Sequence, residues 1–180
     1  MKSKKSQVWV ETAIYTVIGL SVIAILLTIV TPQMEKIKDK GIIDQTINAL
    51  EILDNKIEEA SQIPGSIRIV DFKIAKGSLE FNSSFDSIVY VLENSRLELS
   101  EVGEEIKQGD IILKTESQGS KFKIILKLTY DNKDITYDGA DSDKILNAGS
   151  TPYKIQISNI GDNGLDDKVH LDFGLLWNLV

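Results

Sequence analysis

The sequence predicts an α+β protein, in which one long N-terminal helix, first of transmembrane character and then amphipathic, precedes an antiparallel β-sandwich-like domain. Three observations support this prediction. Residues 12–30 contain no charged residue. Residues 32–63 repeat apolar residues at steps of three or four, which is the period of a helix. From Ser66 onward, short runs rich in Val, Ile, Phe and Tyr alternate with turn-forming residues, as strands do.

The chain length and charge limit the possible functions. A chain of 180 residues has room for one globular domain of ordinary size with an extension. Residues 1–6 hold three lysines and no acid, whereas the whole chain carries a net charge of -7. Nucleic-acid binding depends largely on neutralising phosphates with Lys and Arg. The acidic body therefore makes nucleic acid an unexpected partner.

Residue types that support catalysis or metal binding are scarce. The chain contains no cysteine, which excludes disulfides, thiolate zinc sites and cysteine nucleophiles. The single histidine, His170, alternates with Val169 and Leu171, so we expect it to face solvent or a polar neighbour. No Ser-His-Asp pattern or glycine-rich phosphate loop is present. We therefore expect no enzyme, no catalytic residue, no metal site and no cofactor.

Residues 7–31 form the apolar first part of the predicted helix. The uncharged run of nineteen residues from Thr12 to Val30 is about as long as a bilayer core is thick. Its apolar residues occur all round the helix, so it needs an apolar environment on every side, either lipid or a helical bundle. A cleaved secretory signal is disfavoured because the run is long and ends at Thr31-Pro32 without a small-x-small site.

The lysines that precede this segment predict its orientation. Positive charge tends to stay on the cytoplasmic side of a membrane helix. Lys2, Lys4 and Lys5 therefore predict a cytoplasmic N-terminus and an extracytoplasmic C-terminal body.

Residues 32–63 are predicted to continue the same helix. Pro32 is expected to kink the helix rather than end it, because its neighbours favour helix strongly. Ile63-Pro64-Gly65 is the predicted stop, since the residue before proline avoids the α region and glycine suits a helix end. The apolar positions on the amphipathic face are Met34, Ile37, Ile43, Ile47, Leu50, Ile57 and Ala60.

Residues 66–180 are predicted to form the β domain. Nine runs have strand character: IRIVDFKIA, SLEFN, SIVYVLE, RLEL, DIILKTE, KFKIILKLTY, DITYD, YKIQISN and KVHLDF. The turns at 131–134 and 118–120 are of hairpin length. Such spacing favours an antiparallel sandwich or a partly closed barrel over a parallel sheet.

Glu11 lies at the start of the apolar segment, where an unpaired carboxylate is costly. One interpretation places its side chain at headgroup level, close to the helix N-terminus, where negative charge is mildly favoured. The other interpretation requires a cationic partner. Cleavage of the chain before Gln7 would create a free α-amino group there. This amine, four residues away or on another subunit, would be a suitable partner.

The segment KKSQVWVETAIY resembles the class III signal peptide of archaeal type IV pilin-like proteins. The resemblance implies that a prepilin peptidase cleaves between Ser6 and Gln7 and removes the basic leader, residues 1–6. Glu11 would then be the fifth mature residue and would neutralise the Gln7 amine during subunit docking. The apolar helices of such proteins form the filament core.

The resemblance implies a structural subunit, a major or minor pilin, of an extracellular filament used for adhesion or a related task. Its partners would be further pilin subunits, the prepilin peptidase, the assembly platform with its ATPase, and membrane lipid before assembly. The protein would be a single-pass membrane protein first and a filament or cell-surface protein afterwards. The alternatives are a permanently anchored binding module that does not polymerise, and a pseudopilin of a secretion or motility machine.

Two further features of the β domain concern metal binding and glycosylation. The acidic stretches 138–143 and 162–167 lack the alternating ligand spacing of a calcium loop, so we expect solvated turns. Asn82-Ser83-Ser84 is an N-glycosylation sequon on a predicted turn, which makes Asn82 a possible acceptor.

Overall fold

One helix dominates the first third of the chain. A computed structural model describes residues 3–161 and 167–176. Helix α1 runs without interruption over Ser3–Ser61 and is therefore about 90 Å long. It continues through Pro32, so the apolar and amphipathic parts form a single helix, as predicted. The kink expected at Pro32 stays a prediction.

The rest of the described chain is almost entirely strand. The helix is followed by Gly65, whose φ of 78° turns the chain back along the helix. One short 3-10 helix, η1, covers Ser83–Phe85. The ten strands of the described residues are β1 (Ile67–Phe72), β2 (Ser78–Asn82), β3 (Ser87–Ser95), β4 (Glu105–Gln108), β5 (Ile111–Gln118), β6 (Lys121–Thr129), β7 (Lys133–Tyr137), β8 (Lys144–Asn147), β9 (Tyr153–Gly161) and β10 (Val169–Leu175).

These strands form two sheets that pack face to face. One sheet has the order β1-β9-β10-β7 and the other has the order β4-β5-β6-β3-β2-β8. All described pairs are antiparallel except β10 with β7. The ring of Phe81 on β2 lies 5.8 Å from that of Tyr137 on β7 and 5.0 Å from that of Phe173 on β10. The fold is thus α+β with a β-sandwich-like domain, which confirms the predicted class.

The second half of α1 packs on the sandwich and contributes to its core. Ile43, Leu50, Leu53 and Ile57 are fully buried there. The positions 43, 47, 50, 57 and 60 predicted from the helical period are all buried. Leu53 belongs to the same face and was not predicted.

The predicted apolar face is wrong at its N-terminal end. Met34 and Ile37 are 48% and 66% exposed, because the β domain reaches along the helix only to about Asp39. In exposure, these two side chains resemble the N-terminal apolar half of the helix and not the half that is buried against the sheets.

The strand predictions differ from the structure at three short segments. The run RLEL, 96–99, is not a strand, since side chains take its backbone N–H groups. Leu97 N donates to the Ser95 hydroxyl at 3.0 Å, and Leu99 N to the Thr115 hydroxyl at 3.3 Å. The sequence reading missed β4 and β8, which are four-residue edge strands with mixed polar sequences.

The turn at 118–120 joins β5 to β6 in a hairpin, as predicted. The segment 131–134 is not a hairpin, because β6 and β7 belong to different sheets. Asp86 holds this crossing: its backbone oxygen accepts a bond from Tyr130 N at 2.9 Å, and its carboxylate accepts one from Ile135 N at 3.0 Å.

Candidate functional site: the projecting half of the helix

The first half of α1 projects from the β domain and is covered by no other part of the described chain. By length and composition it could cross a membrane. We call residues 8–31 the projecting helix. A continuous apolar surface of this size on a folded domain marks a contact with lipid or protein. Its large exposed apolar residues include Val8, Trp9, Val10, Ile14, Tyr15, Val17, Ile18, Leu20, Val22, Ile23, Ile25, Leu26, Leu27, Ile29 and Val30.

The hydroxyl groups of the projecting helix are satisfied within the helix itself. Thr12, Thr16, Ser21, Thr28 and Thr31 each donate to the backbone carbonyl four residues earlier, at 2.7–2.9 Å. A polar group left unpaired in hydrocarbon or in a dry helical bundle would cost several kcal/mol. The segment is therefore chemically suited to an apolar environment despite its five serine and threonine side chains.

Glu11 lies on the exposed surface at the start of this segment. Its carboxylate is 3.5 Å from the Tyr15 hydroxyl one turn further on, which is a long contact for a hydrogen bond. Ser6 and Gln7 belong to the same continuous helix, and their side chains are outside the described part. One turn of helix thus separates Glu11 from the backbone of Gln7, which is compatible with a carboxylate-amine pair within one chain or between two.

A cluster of polar side chains fixes the helix where it leaves the domain. We call Glu35, Asp39, Lys76, Ser95 and Arg96 the helix-exit cluster. The Asp39 carboxylate accepts bonds from Lys76 Nζ at 2.7 Å, from Ser95 Oγ at 2.8 Å and from Arg96 N at 3.3 Å. Arg96 Nε also pairs with Glu35 on the previous turn of the helix.

Both acids of this cluster are poised to stay ionised. Burial raises the pKa of Asp39, but the bonds from Lys76 and Ser95 outweigh it and hold the pKa below its usual value. The hydrogen bond from Arg96 likewise lowers the pKa of Glu35. Sequence reasoning missed the cluster. The signal that could have found it is the position of Asp39, an acid one turn before Ile43 on the buried face of the helix.

A second polar site lies at the other end of the helix-sheet contact. An open cleft of about 650 Å³ is lined by Asp54 and Glu58 of α1 and by the ends of β4, β5 and β6. The Tyr130 hydroxyl donates to Asp54 at 2.8 Å, and buried Lys133 donates to Glu58 at 2.6 Å. Burial raises the pKa of Asp54 and, together with the charge of Asp54, that of Tyr130.

The sequon residue Asn82 ends β2 and caps η1. Its side-chain oxygen accepts a bond from Phe85 N at 3.1 Å. Its amide nitrogen contacts Glu80 at 3.4 Å, and the side chain is half-buried. Glycosylation of Asn82 stays a prediction.

The other polar residues considered in the sequence are His170 and the two acidic stretches. His170 is close to Asp134, with Nδ1 2.6 Å from the carboxylate, so it faces a polar neighbour as predicted. In the stretch 138–143, Asp143 accepts a bond from Ser83 N at 3.0 Å. Most of the stretch 162–167 is outside the described residues. In the described ranges, no three His, Cys, Asp or Glu side chains are placed to hold a metal ion.

The chain matches no protein-family profile, no curated protein sequence and no solved structure with significance. A function for it therefore rests on its own residues.

Proposed function

We propose that this chain is a structural subunit, a major or minor pilin, of an archaeal type IV pilus-like extracellular filament, assembled through its N-terminal helix after leader cleavage. The observation that carries the proposal is the projecting helix. It is apolar on all faces, no other described residue of its chain covers it, and it begins with an acid one turn after Gln7. A helix of this kind loses little on leaving lipid if it enters a bundle of similar helices.

The chemistry at the start of the helix supports the same proposal. Cleavage between Ser6 and Gln7 removes three lysines and creates an α-amino group. In an apolar bundle, the Glu11 carboxylate and this amine neutralise each other, either within one subunit or between neighbours. The pairing favours docking of a subunit whose leader has been removed over one that still carries it.

The partners of the chain under this proposal are other pilin subunits, a prepilin peptidase, the assembly platform with its ATPase, and lipid before assembly. The N-terminus is cytoplasmic before processing, and the β domain is displayed outside the cell. Gly19 offers a close-approach point on the helix, because it is exposed and has no side chain to separate its backbone from a second helix.

Intact-mass and N-terminal analysis of the protein, made with and without a prepilin peptidase, tests the proposal. We expect loss of residues 1–6 to leave Gln7 only when the peptidase is present. Glu11→Gln, which removes the charge and keeps the shape, should still be cleaved but should give no filaments by electron microscopy. Glu51→Gln changes an exposed acid elsewhere on α1 and should assemble normally.

A second candidate function is a permanently anchored binding module. The cleft beside Tyr130 and Lys133 favours it, because a concave site on a monomeric domain is where a ligand would bind. This version predicts that the terminus stays intact in native membranes in the presence of the peptidase. Finding Met1 or Lys2 at the terminus there would overturn the filament proposal in its favour.

A further inference from the structure

The end of the β domain from which the projecting helix emerges carries an excess of cations, although the chain has a net charge of -7. Three lysines follow the apolar segment on α1, and three cations of the β domain are grouped with them. The two acids of the helix-exit cluster, Glu35 and Asp39, lie among these cations, and both are engaged in ion pairs. We call the following residues the basic collar: Lys36, Lys38, Lys40, Lys76, Arg96 and Lys121.

Contacts across the helix-sheet boundary bring the collar together. Lys76 and Arg96 reach the helix through their ion pairs with Asp39 and Glu35. Lys38, Lys76 and Lys121 line one open pocket of about 360 Å³ between the helix and the sheet. The collar therefore combines residues of α1 with residues of the β1-β2 connection, of the start of β6 and of the segment after β3.

Part of the collar is not engaged in ion pairs. Within residues 3–161 and 167–176, none of Lys36, Lys38 and Lys121 forms an ion pair with an acid. Lys36 and Lys38 are exposed. Grouped like charges repel one another unless anions come close. The surface is complementary to an anionic partner.

The position of the collar along the helix identifies that partner. Val30 is the last residue of the apolar run, and Lys36 to Lys40 follow it by about 9–15 Å of helix. A bilayer adds several Å of headgroups beyond its hydrocarbon core, and lysine side chains extend toward that layer. When the apolar segment spans a membrane, the collar is next to lipid phosphates. A second copy of the chain could bind the collar only if one of its acidic faces reached this headgroup layer.

We propose that the basic collar binds the headgroup phosphates of anionic lipids and holds the β domain against the membrane while the helix is inserted. The inference rests on the membrane placement in the proposed function, and not on polymerisation. A subunit that leaves for a filament must break these contacts, so anionic lipid retains the unassembled subunit.

The full chain reconstituted in vesicles tests the proposal. Because the chain has no cysteine, Ser120→Cys gives a single fluorophore site at the exposed β5-β6 turn, next to Lys121. Energy transfer to headgroup-labelled lipid should be higher when phosphatidylglycerol replaces part of the phosphatidylcholine, and added NaCl should reverse the rise. Each lysine near an anionic surface contributes about 1 kcal/mol, or about fivefold, so K36Q/K38Q/K121Q should lose the close state by about a hundredfold.

The matched control is K107Q/K127Q/K144Q, which removes the same charge from three lysines outside the basic collar. It should behave as the parent protein does. Insertion of the helix with no dependence on phosphatidylglycerol would overturn the collar proposal alone, whereas failure to insert would overturn the membrane placement as well. A transfer signal that follows protein density would assign the collar to a second copy. If inorganic phosphate gives the same transfer signal in neutral vesicles, the collar binds a free anion and not lipid. Either result overturns the proposal.

Discussion

Asp39 is the residue on which the direction of the projecting helix depends most. It is 4% exposed and accepts bonds from three residues of the β domain, at two places that are remote from it in sequence. A buried carboxylate is tolerated only when donors replace its lost hydration, and Lys76, Ser95 and Arg96 provide them. The residue thus couples the base of the helix to both ends of the β2-β3 hairpin.

Asp39→Asn should lower the free energy of unfolding by about 1–3 kcal/mol near neutral pH, because charge-assisted bonds become neutral ones. The folded-state pKa of Asp39 is below its unfolded value. Its contribution is therefore fully present above about pH 4 and is lost as the pH falls through the folded pKa.

Chemical unfolding of the full chain in detergent across this pH range measures the effect. The difference between Asp39→Asn and the parent protein should vanish at the acid end. Glu35→Gln, which removes an exposed ion pair of the same cluster, is the control and should change stability little. An Asp39→Asn effect that stays constant down to low pH would contradict the electrostatic account.

Helix α1 contains a glycine that its surroundings do not require. Gly41 is in the helix interior, where glycine costs about 0.5–1 kcal/mol relative to alanine. A Cβ at this position meets nothing within 4 Å. Nothing within the described chain requires glycine there.

Gly41→Ala should therefore raise the stability of the domain by about 0.5–1 kcal/mol in thermal or chemical unfolding. Gly65→Ala is the contrasting variant. Its Cβ also has open space, but a φ of 78° strains any residue with a side chain, so it should destabilise by about 1–2 kcal/mol. A loss of stability in Gly41→Ala would show that the helix geometry at residue 41 differs from the one described.

Some strands are determined by the local sequence pattern, and others depend on tertiary contacts. Eight of the ten described strands follow the apolar alternation seen in the sequence. The edge strands β4 and β8 carry weak patterns because one side of each faces solvent and little burial enforces alternation. The run 96–99 has the pattern but bonds to side chains of Ser95 and Thr115 instead of a neighbouring strand.

At the scale of the whole molecule, the sandwich with its docked helix is complete without the projecting helix. The buried core begins at Ile43 on α1, and the projecting residues add no buried apolar side chain to it. The apolar half therefore contributes little to the stability of the domain.

A chain that starts at Pro32 should consequently fold with the same two-sheet core and remain monomeric. Circular dichroism and size-exclusion chromatography in detergent-free buffer measure both properties, with a cooperative thermal transition as the expected result. A chain that starts at Ile43, and so lacks Glu35 and Asp39 of the helix-exit cluster, is the matched comparison and should be less stable. Aggregation of the first chain would show that the projecting helix covers part of the domain.

The sequence alone determined the continuous helix, its change from apolar to amphipathic character, the position of Glu11 and the α+β class. These features depend on local periodicity and on the absence of charge, which a linear pattern records directly. Only the tertiary structure decided that burial starts near Asp39, that Met34 and Ile37 stay exposed, and that the segment 131–134 crosses between sheets. It also decided the partners of Asp39 and the grouping of the basic collar. Such contacts join residues far apart in sequence, and their energies depend on distances that no local pattern encodes.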